Sequence, residues 1–476
     1  MPLDRTPSDV FSSLAGACDA WSAALDAALL PAAEWLGHPT GMVKMAAGLV
    51  AAVFCGAMLH VTPNATSRHL LSALSGCLLV VTLFGAGGLN LLVSVVFAWV
   101  AMRCCRRRAG IAVFLGTFAY LLYLHVSNAS GVAWREGRTD HTGAQMVVAL
   151  KLISAAFNYA DGEAAEPLTD FQRSRALVAL PRPLAFAGYA LNPTALLAAP
   201  GPEMSVYLDW AHSKGPWLRA PSPLLPSLWA LLQAVVYFIL FVALTPALPA
   251  TAMYADDAWA AQPLWRRMGW LFAFMAVLRC KFYVTWKLAE AAVDASGLGF
   301  TGFNEDGRPV WERGTNVRPL QFELATSAVL LPAYWNIQTS QFFRHYVYER
   351  VAGRNQKPTF FALLITQVLS GVWHGLYAGY ALFFVFSAFM IHASKGAYKL
   401  QQQFSGPALA FGSAAIHWLL VRMQISFLAE AFVLLEWHLC RKAWGRMQYI
   451  GLLVTACMLA TSVAPAGLQH VKPKRR

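Results

Sequence analysis

At 476 residues the chain has the length of about three soluble domains, yet 57% of it is hydrophobic, 13% is charged and its mean hydropathy is +0.47. A soluble globule cannot bury that much apolar surface and disorder needs the opposite balance, so the composition specifies a membrane protein. The 37 Lys and Arg against 24 Asp and Glu leave +13, which favours anionic headgroups and anionic substrates at a cytosolic face; without a long basic stripe, no nucleic-acid partner is expected.

The first forty residues carry Asp4, Asp9, Asp19, Asp26 and Glu34 and lack a basic n-region, so no cleavable signal is read there. Residues 1–40 are expected to form an interfacial amphipathic segment, 41–466 a single transmembrane domain and 467–476 a basic tail. A bilayer core about 30 Å thick takes about 20 apolar residues of helix. Runs without Asp, Glu, Lys or Arg cover 45–67, 69–102, 109–134, 183–202, 220–255, 324–343, 358–394, 400–421 and 447–471. Two are too long for one crossing: 69–102 is broken at Gly85-Ala-Gly-Gly-Leu-Asn90, and 358–394 would measure about 56 Å as one helix. Adding the less apolar 264–290 and 422–440, the expectation is an all-α polytopic fold with about nine to eleven membrane segments, some re-entrant or tilted, around a central chamber.

The stretches 136–182 and 299–319 read as the substantial polar loops. Arg103, Arg106, Arg107 and Arg108 should be cytosolic, while basic residues flank the last apolar run on both sides. Eight cysteines lie mostly in apolar segments and never as CxxC, so neither a metal site nor a disulfide framework is indicated.

Polar side chains inside hydrocarbon are functional candidates because each must face protein or a water-filled cavity. Asn336, Ser340, Arg344 and Tyr348 recur every four residues and would form one polar row on a helix, either lining a site or bonding neighbouring helices. His374 sits near the middle of the 37-residue run 358–394, flanked by Gly371, Gly375 and Gly379, which permit a kink or a close approach. A buried neutral imidazole suits proton abstraction. An amide such as Asn336 would offer a reacting carbonyl a donor for developing oxyanion charge without burying a formal charge.

Six ordered blocks resemble the membrane-bound O-acyltransferase family. They are Lys151-Leu-Ile-Ser-Ala-Ala-Phe157 to Asp161-Gly162; Lys281-Phe-Tyr283-Val-Thr-Trp286; Ser296 to Gly302 with Trp311 to Asn316; Glu323-Leu-Ala-Thr-Ser327; Trp335-Asn336 with Tyr346-Val-Tyr348-Glu-Arg350; and Trp373-His374-Gly375 with Gly379-Tyr380. The resemblance covers about residues 140–390, the flanks agreeing by topology only. The pattern is similar to the lysophospholipid-acylating branch. The Leu331-Pro-Ala-Tyr-Trp-Asn336 stretch departs from the Phe-Tyr-x-Asp-Trp-Trp-Asn block of sterol and diacylglycerol acyltransferases. Phe342-Phe343 and Ala378 depart from the branch's usual residues but stay apolar.

The resemblance implies transfer of a fatty acyl group from acyl-CoA to the free hydroxyl of a lysophospholipid, with lysophosphatidylcholine and lysophosphatidylethanolamine favoured. His374 would be the general base and Asn336 would position or polarise the thioester. Arg344 and Lys281 are candidates for substrate phosphate, or for an internal ion pair with Glu323. Trp335, Ser340, Trp373, Tyr377 and Tyr380 would shape the substrate cavity. Acyl-CoA is a co-substrate, and no permanently bound cofactor or metal is implied; oligomeric state stays open. Competing readings are another acceptor (protein, sterol or diacylglycerol) or a transporter. The tail Lys472-Pro-Lys474-Arg-Arg476 resembles a dilysine retrieval signal, which implies the endoplasmic-reticulum membrane.

Overall fold

A computed structural model of the chain describes residues 7–138, 140–164, 168–353, 359–404 and 406–463. The expected segment 467–476, with its retrieval-like tail, lies outside them. The chain divides into two compact units, Met1–Tyr237 with Tyr283–Asn316, and Phe238–Phe282 with Val317–Arg476. The chain passes between them inside the helix Leu224–Leu244, inside the 32-residue helix Leu264–Ala295 and after Asn316.

In the first unit the N-terminal segment forms the helix Pro7–Leu36, which packs on the apolar helices Thr40–Val61 and Ala65–Phe84. Its polar residues hold it there. The Lys44 ammonium donates to Asp26 (2.9 Å) and to Ser22 Oγ (2.7 Å), the Trp21 indole to Thr82 (2.9 Å), and Ala86 N to the Asp19 carboxylate (2.8 Å). The expected break after Phe84 is a 3₁₀ turn, Gly85–Leu89, leading into the helix Asn90–Cys104. Gly85 has φ +59°, and a Cβ there would lie 2.2 Å from Asp19 Oδ1, so the turn needs glycine.

Two expectations fail here for identifiable reasons. The polar loop expected over 136–182 contains a 20-residue helix, Thr142–Asp161, buried along most of its length. A charge scan rejects it because of Lys151, yet the Lys151 ammonium is satisfied by the Ala195 carbonyl (3.1 Å) and the Tyr189 ring (4.9 Å). Conversely, 183–202 does not cross: the helix Pro183–Ala190 ends where Asn192 caps the 3₁₀ turn Pro193–Ala195. The other polar stretch, 299–319, holds a two-stranded antiparallel hairpin, Phe300–Phe303 with Pro309–Trp311.

The second unit packs around buried Met253, Leu271, Ala328, Val421, Phe427 and Cys440. The long run 358–394 splits, as its length required, into helices Phe360–His374 and Ala378–Gln401. The hinge is Gly375 at φ +129°. The separate segments 400–421 and 422–440 become one 28-residue helix, Pro407–Leu434, followed by Trp437–Arg446. That helix continues through Arg422 because the guanidinium finds Glu323 at 3.4 Å. The run 324–343 is not a span: Ser327 caps a 3₁₀ turn, Pro332 opens the short helix Leu331–Tyr334, and Trp335 bridges Val317 as extended chain.

Among the described residues, seven helical stretches are long and apolar enough to cross a membrane, with Phe360–His374 and Ile450–Ala460 as shorter apolar helices. Together they reach the lower end of the expected number. The chain is a multi-pass, all-α membrane protein.

Candidate active site

His374 is the last residue of the helix Phe360–His374, and the sharp turn at Gly375 sends the chain back along Ala378–Gln401. The half-buried imidazole is ringed by aromatic groups. Trp373 lies at 4.7 Å, Phe384 stacks at 5.1 Å, Phe432 meets it edge-on at 5.2 Å and Tyr380 stands at 5.5 Å between centroids. Tyr377 joins through Tyr380 at 5.8 Å.

This nest depends on a close helix approach. The Gly379 amide donates to the Leu435 carbonyl at 2.7 Å, and a Cβ at residue 379 would lie 2.1 Å from the Ala431 carbonyl oxygen. The start of Ala378–Gln401 therefore touches the end of Pro407–Leu434, which carries Phe432. Gly371 has a milder role, since its Cβ would meet the Phe384 ring at 3.3 Å. Of the three glycines around His374, one turns the chain and one lets two backbones meet.

Asn336 does not belong to a helical row. It stands at φ +47°, ψ +50°, immediately before the helix Ile337–Phe342, in the left-handed region that asparagine tolerates better than most residues. Phe343–Tyr348 then forms a π-helical turn, whose i→i+5 bonding abolishes a four-residue repeat. The predicted row through Asn336, Ser340, Arg344 and Tyr348 is thus broken twice. Ser340 belongs to the turn itself, its amide donating to Asn336 O (2.8 Å) and its hydroxyl to Trp335 O (3.4 Å). The π turn packs on the His374 helix, with Phe343 6.0 Å from Trp373.

Trp335 lies against Phe322 (4.9 Å) and Phe282 (5.6 Å). Lys281 precedes Phe282 on its helix and is half-buried. Glu323 is held by two arginines, neither of them Arg344. Arg279 reaches it in a two-pronged contact of 2.6 and 2.8 Å, and Arg422 at 3.4 Å. Both guanidiniums also lie near the Phe322 ring, at 5.8 and 4.8 Å. Arg344 is 71% exposed and contacts Glu349 at 3.2 Å, while His345 bonds the same carboxylate at 2.9 Å.

The structure thus gathers Trp373, Tyr377 and Tyr380 about His374, ties Ser340 to Asn336 and Trp335, and joins Trp335 with Glu323 through Phe322. Arg344 stands apart. Sequence reasoning missed Phe384 and Phe432, which no motif marks, and the pair Arg279 and Arg422. Arg422 did carry a signal, as a lone charge within an apolar stretch. A half-buried imidazole among apolar rings can accept a proton with little competing water, and an asparagine amide is a donor that can serve a ligand oxygen without burying a formal charge.

Residues 126–433 match the model of MBOAT, the membrane-bound O-acyltransferase family. The chain is 36% identical to Lysophospholipid acyltransferase 1 of Arabidopsis thaliana over 459 residues, covering 92% of this chain and 98% of that one. It is 35% identical to Lysophospholipid acyltransferase 2 of the same plant, covering 93% and 97%. With Membrane-bound glycerophospholipid O-acyltransferase 1 of Mus musculus it shares 28% identity, covering 86% of each. A family match across most of the chain, near full-length similarity and a multi-pass helical fold agree, and this chain belongs to the membrane-bound O-acyltransferase family.

Proposed function

We propose that this protein transfers a fatty acyl group from acyl-CoA to the free hydroxyl of a lysophospholipid, giving a diacyl phospholipid and CoA in the endoplasmic-reticulum membrane. The observation that carries the reading is the aromatic nest around His374, a proton acceptor in an apolar enclosure. The similarity to lysophospholipid acyltransferases along nearly the whole chain supports the acceptor class.

In this reading His374 removes the proton from the acceptor hydroxyl as its oxygen attacks the thioester carbonyl. Asn336 positions the thioester or donates to the oxyanion. The carbon–sulfur bond then breaks and the proton passes from the imidazolium to the CoA thiolate. A thiolate leaves readily, so no acyl-enzyme is needed. Trp335, Ser340, Trp373, Tyr377 and Tyr380 shape the chamber, Lys281 and Arg344 meet substrate phosphate, and Glu323 orders the segment leading to Trp335 through its two arginines.

The test is an acceptor-by-donor matrix: purified protein with radiolabelled acyl-CoA against lysophospholipids of each headgroup, diacylglycerol, sterol and an acceptor peptide. His374→Ala serves as control. Diacyl phospholipid formed only by the unmodified protein supports the proposal. Product from sterol, diacylglycerol or peptide alone would reassign the acceptor, and full turnover by a folded His374→Ala protein would remove the base from the scheme.

A further inference from the structure

The helix Trp437–Arg446 connects two apolar helices, Pro407–Leu434 and Ile450–Val463, so it lies where chain leaves and re-enters the membrane. Its two faces differ. Cys440, Ala443 and Trp444 are buried, with Trp444 stacked on Phe427 at 4.9 Å and its indole donating to the Phe427 carbonyl at 3.2 Å. The other face borders a cleft of ≈ 580 Å³ lined by His438, Arg441, Lys442, Gly445, Arg446 and Tyr449. Gly445 leaves this cleft open, the nearest atom to a Cβ there being the Tyr449 hydroxyl at 3.6 Å.

The charges on that face are unequally matched. Arg446 pairs with Asp257 and donates to the Asp256 carbonyl, and His438 stands 3.5 Å from Glu436. Arg441 and Lys442 are exposed and form no ion pair among the described residues. Beside them lie exposed apolar groups, Trp437, Tyr449 and Leu453. Aromatic residues of this kind favour the headgroup level of a bilayer, and an amphipathic helix with a basic face lies in that plane.

We infer that this cleft is a docking site for the phosphate-bearing headgroup of an anionic membrane lipid, with Arg441 and Lys442 on the phosphate and Tyr449 at its edge. The lipid's chains would cover Trp437 and Leu453. This apolar shoulder favours a lipid over a soluble phosphate ester, which would leave it wet. The cleft's lining shares no residue with the His374 nest, and lipid docking there does not depend on the proposed reaction.

The test uses the full chain in nanodiscs, with photoactivatable phosphatidylserine diluted into phosphatidylcholine and cross-links mapped by peptide. Labelling should fall on residues 437–453 and drop about 25-fold in Arg441→Gln/Lys442→Gln, since each of the two basic residues near an anionic surface contributes roughly a fivefold factor. Photoactivatable phosphatidylcholine should label both proteins equally. Undiminished phosphatidylserine labelling in the double variant overturns the inference. So does weakened acyl-CoA binding by that variant in phosphatidylcholine alone, which would assign the two cations to the phosphates of CoA. Lys442→Gln, a single change at an exposed position, gives the same reading at smaller amplitude should the double variant fold poorly.

Discussion

Replacing Gly379 by alanine tests whether the His374 nest rests on backbone contact between Ala378–Gln401 and Pro407–Leu434. The added Cβ would lie 2.1 Å from the Ala431 carbonyl oxygen and 2.7 Å from Leu435 Cα, where ordinary contact begins at 3.4 Å. Both neighbours are backbone, so no rotamer change relieves the overlap and the two helix ends must part by about an ångström. Overpacking of this kind costs about 1–3 kcal/mol, and losing the Gly379-to-Leu435 hydrogen bond from a buried position adds about 1–3 kcal/mol. The expected destabilisation is therefore about 2–6 kcal/mol, read as a lowered thermal midpoint in detergent. Tyr380 and Phe432 ride on the two parted elements, so turnover at a temperature where the variant remains folded should fall by about 100-fold, the usual effect of an ångström of misplacement. Gly371→Ala is the control: its nearest neighbour is the Phe384 side chain, at 3.3 Å, and it should cost less than about 1 kcal/mol. A Gly379→Ala protein with unchanged midpoint and turnover would refute the reasoning.

Asn336→Gly keeps a residue that accepts φ +47° while deleting the amide, so it should fold normally and lose about 10²–10³ in turnover; Asn336→Ala should lose thermal stability as well. Equal turnover in Asn336→Gly and the unmodified protein would take the amide out of the chemistry. Arg422→Leu removes a side chain 1% exposed that shares Glu323 with Arg279. Breaking such a buried network should lower stability by about 3–5 kcal/mol, and a double-mutant cycle with Glu323→Gln should return a coupling energy well above zero. Arg344→Gln, at a 71% exposed position, should change stability by no more than about 1 kcal/mol. If Arg344 meets substrate phosphate, its KM for one substrate rises with kcat preserved; an unchanged KM for both substrates confines Arg344 to its contact with Glu349.

Local composition carried much of the fold. Uncharged runs located the helices Thr40–Val61 and Leu224–Leu244, the less apolar segment 264–290 matches Leu264–Ala295, and excess length correctly required a break within 69–102 and another within 358–394, found at Gly85 and Gly375. The errors run in two directions. A scan for charge treats each ionisable residue as a boundary, but Lys151 and Arg422 sit inside helices because partners distant in sequence satisfy them. The opposite error occurred at 183–202 and 324–343, where apolar composition was read as a span although proline, asparagine and capping side chains stop the helix.

By itself the sequence determined that this is a basic, polytopic helical protein, and its ordered blocks marked His374 and Asn336, because hydropathy and motif order are properties of the linear chain. Only tertiary structure decided what surrounds them. Phe384 and Phe432 reach His374 from two other helices, and Glu323 is claimed by Arg279 and Arg422 rather than by Arg344. These contacts join residues that helix ends and turns bring together, and a π turn or a left-handed asparagine changes which side chains share a face in a way that a four-residue spacing cannot report.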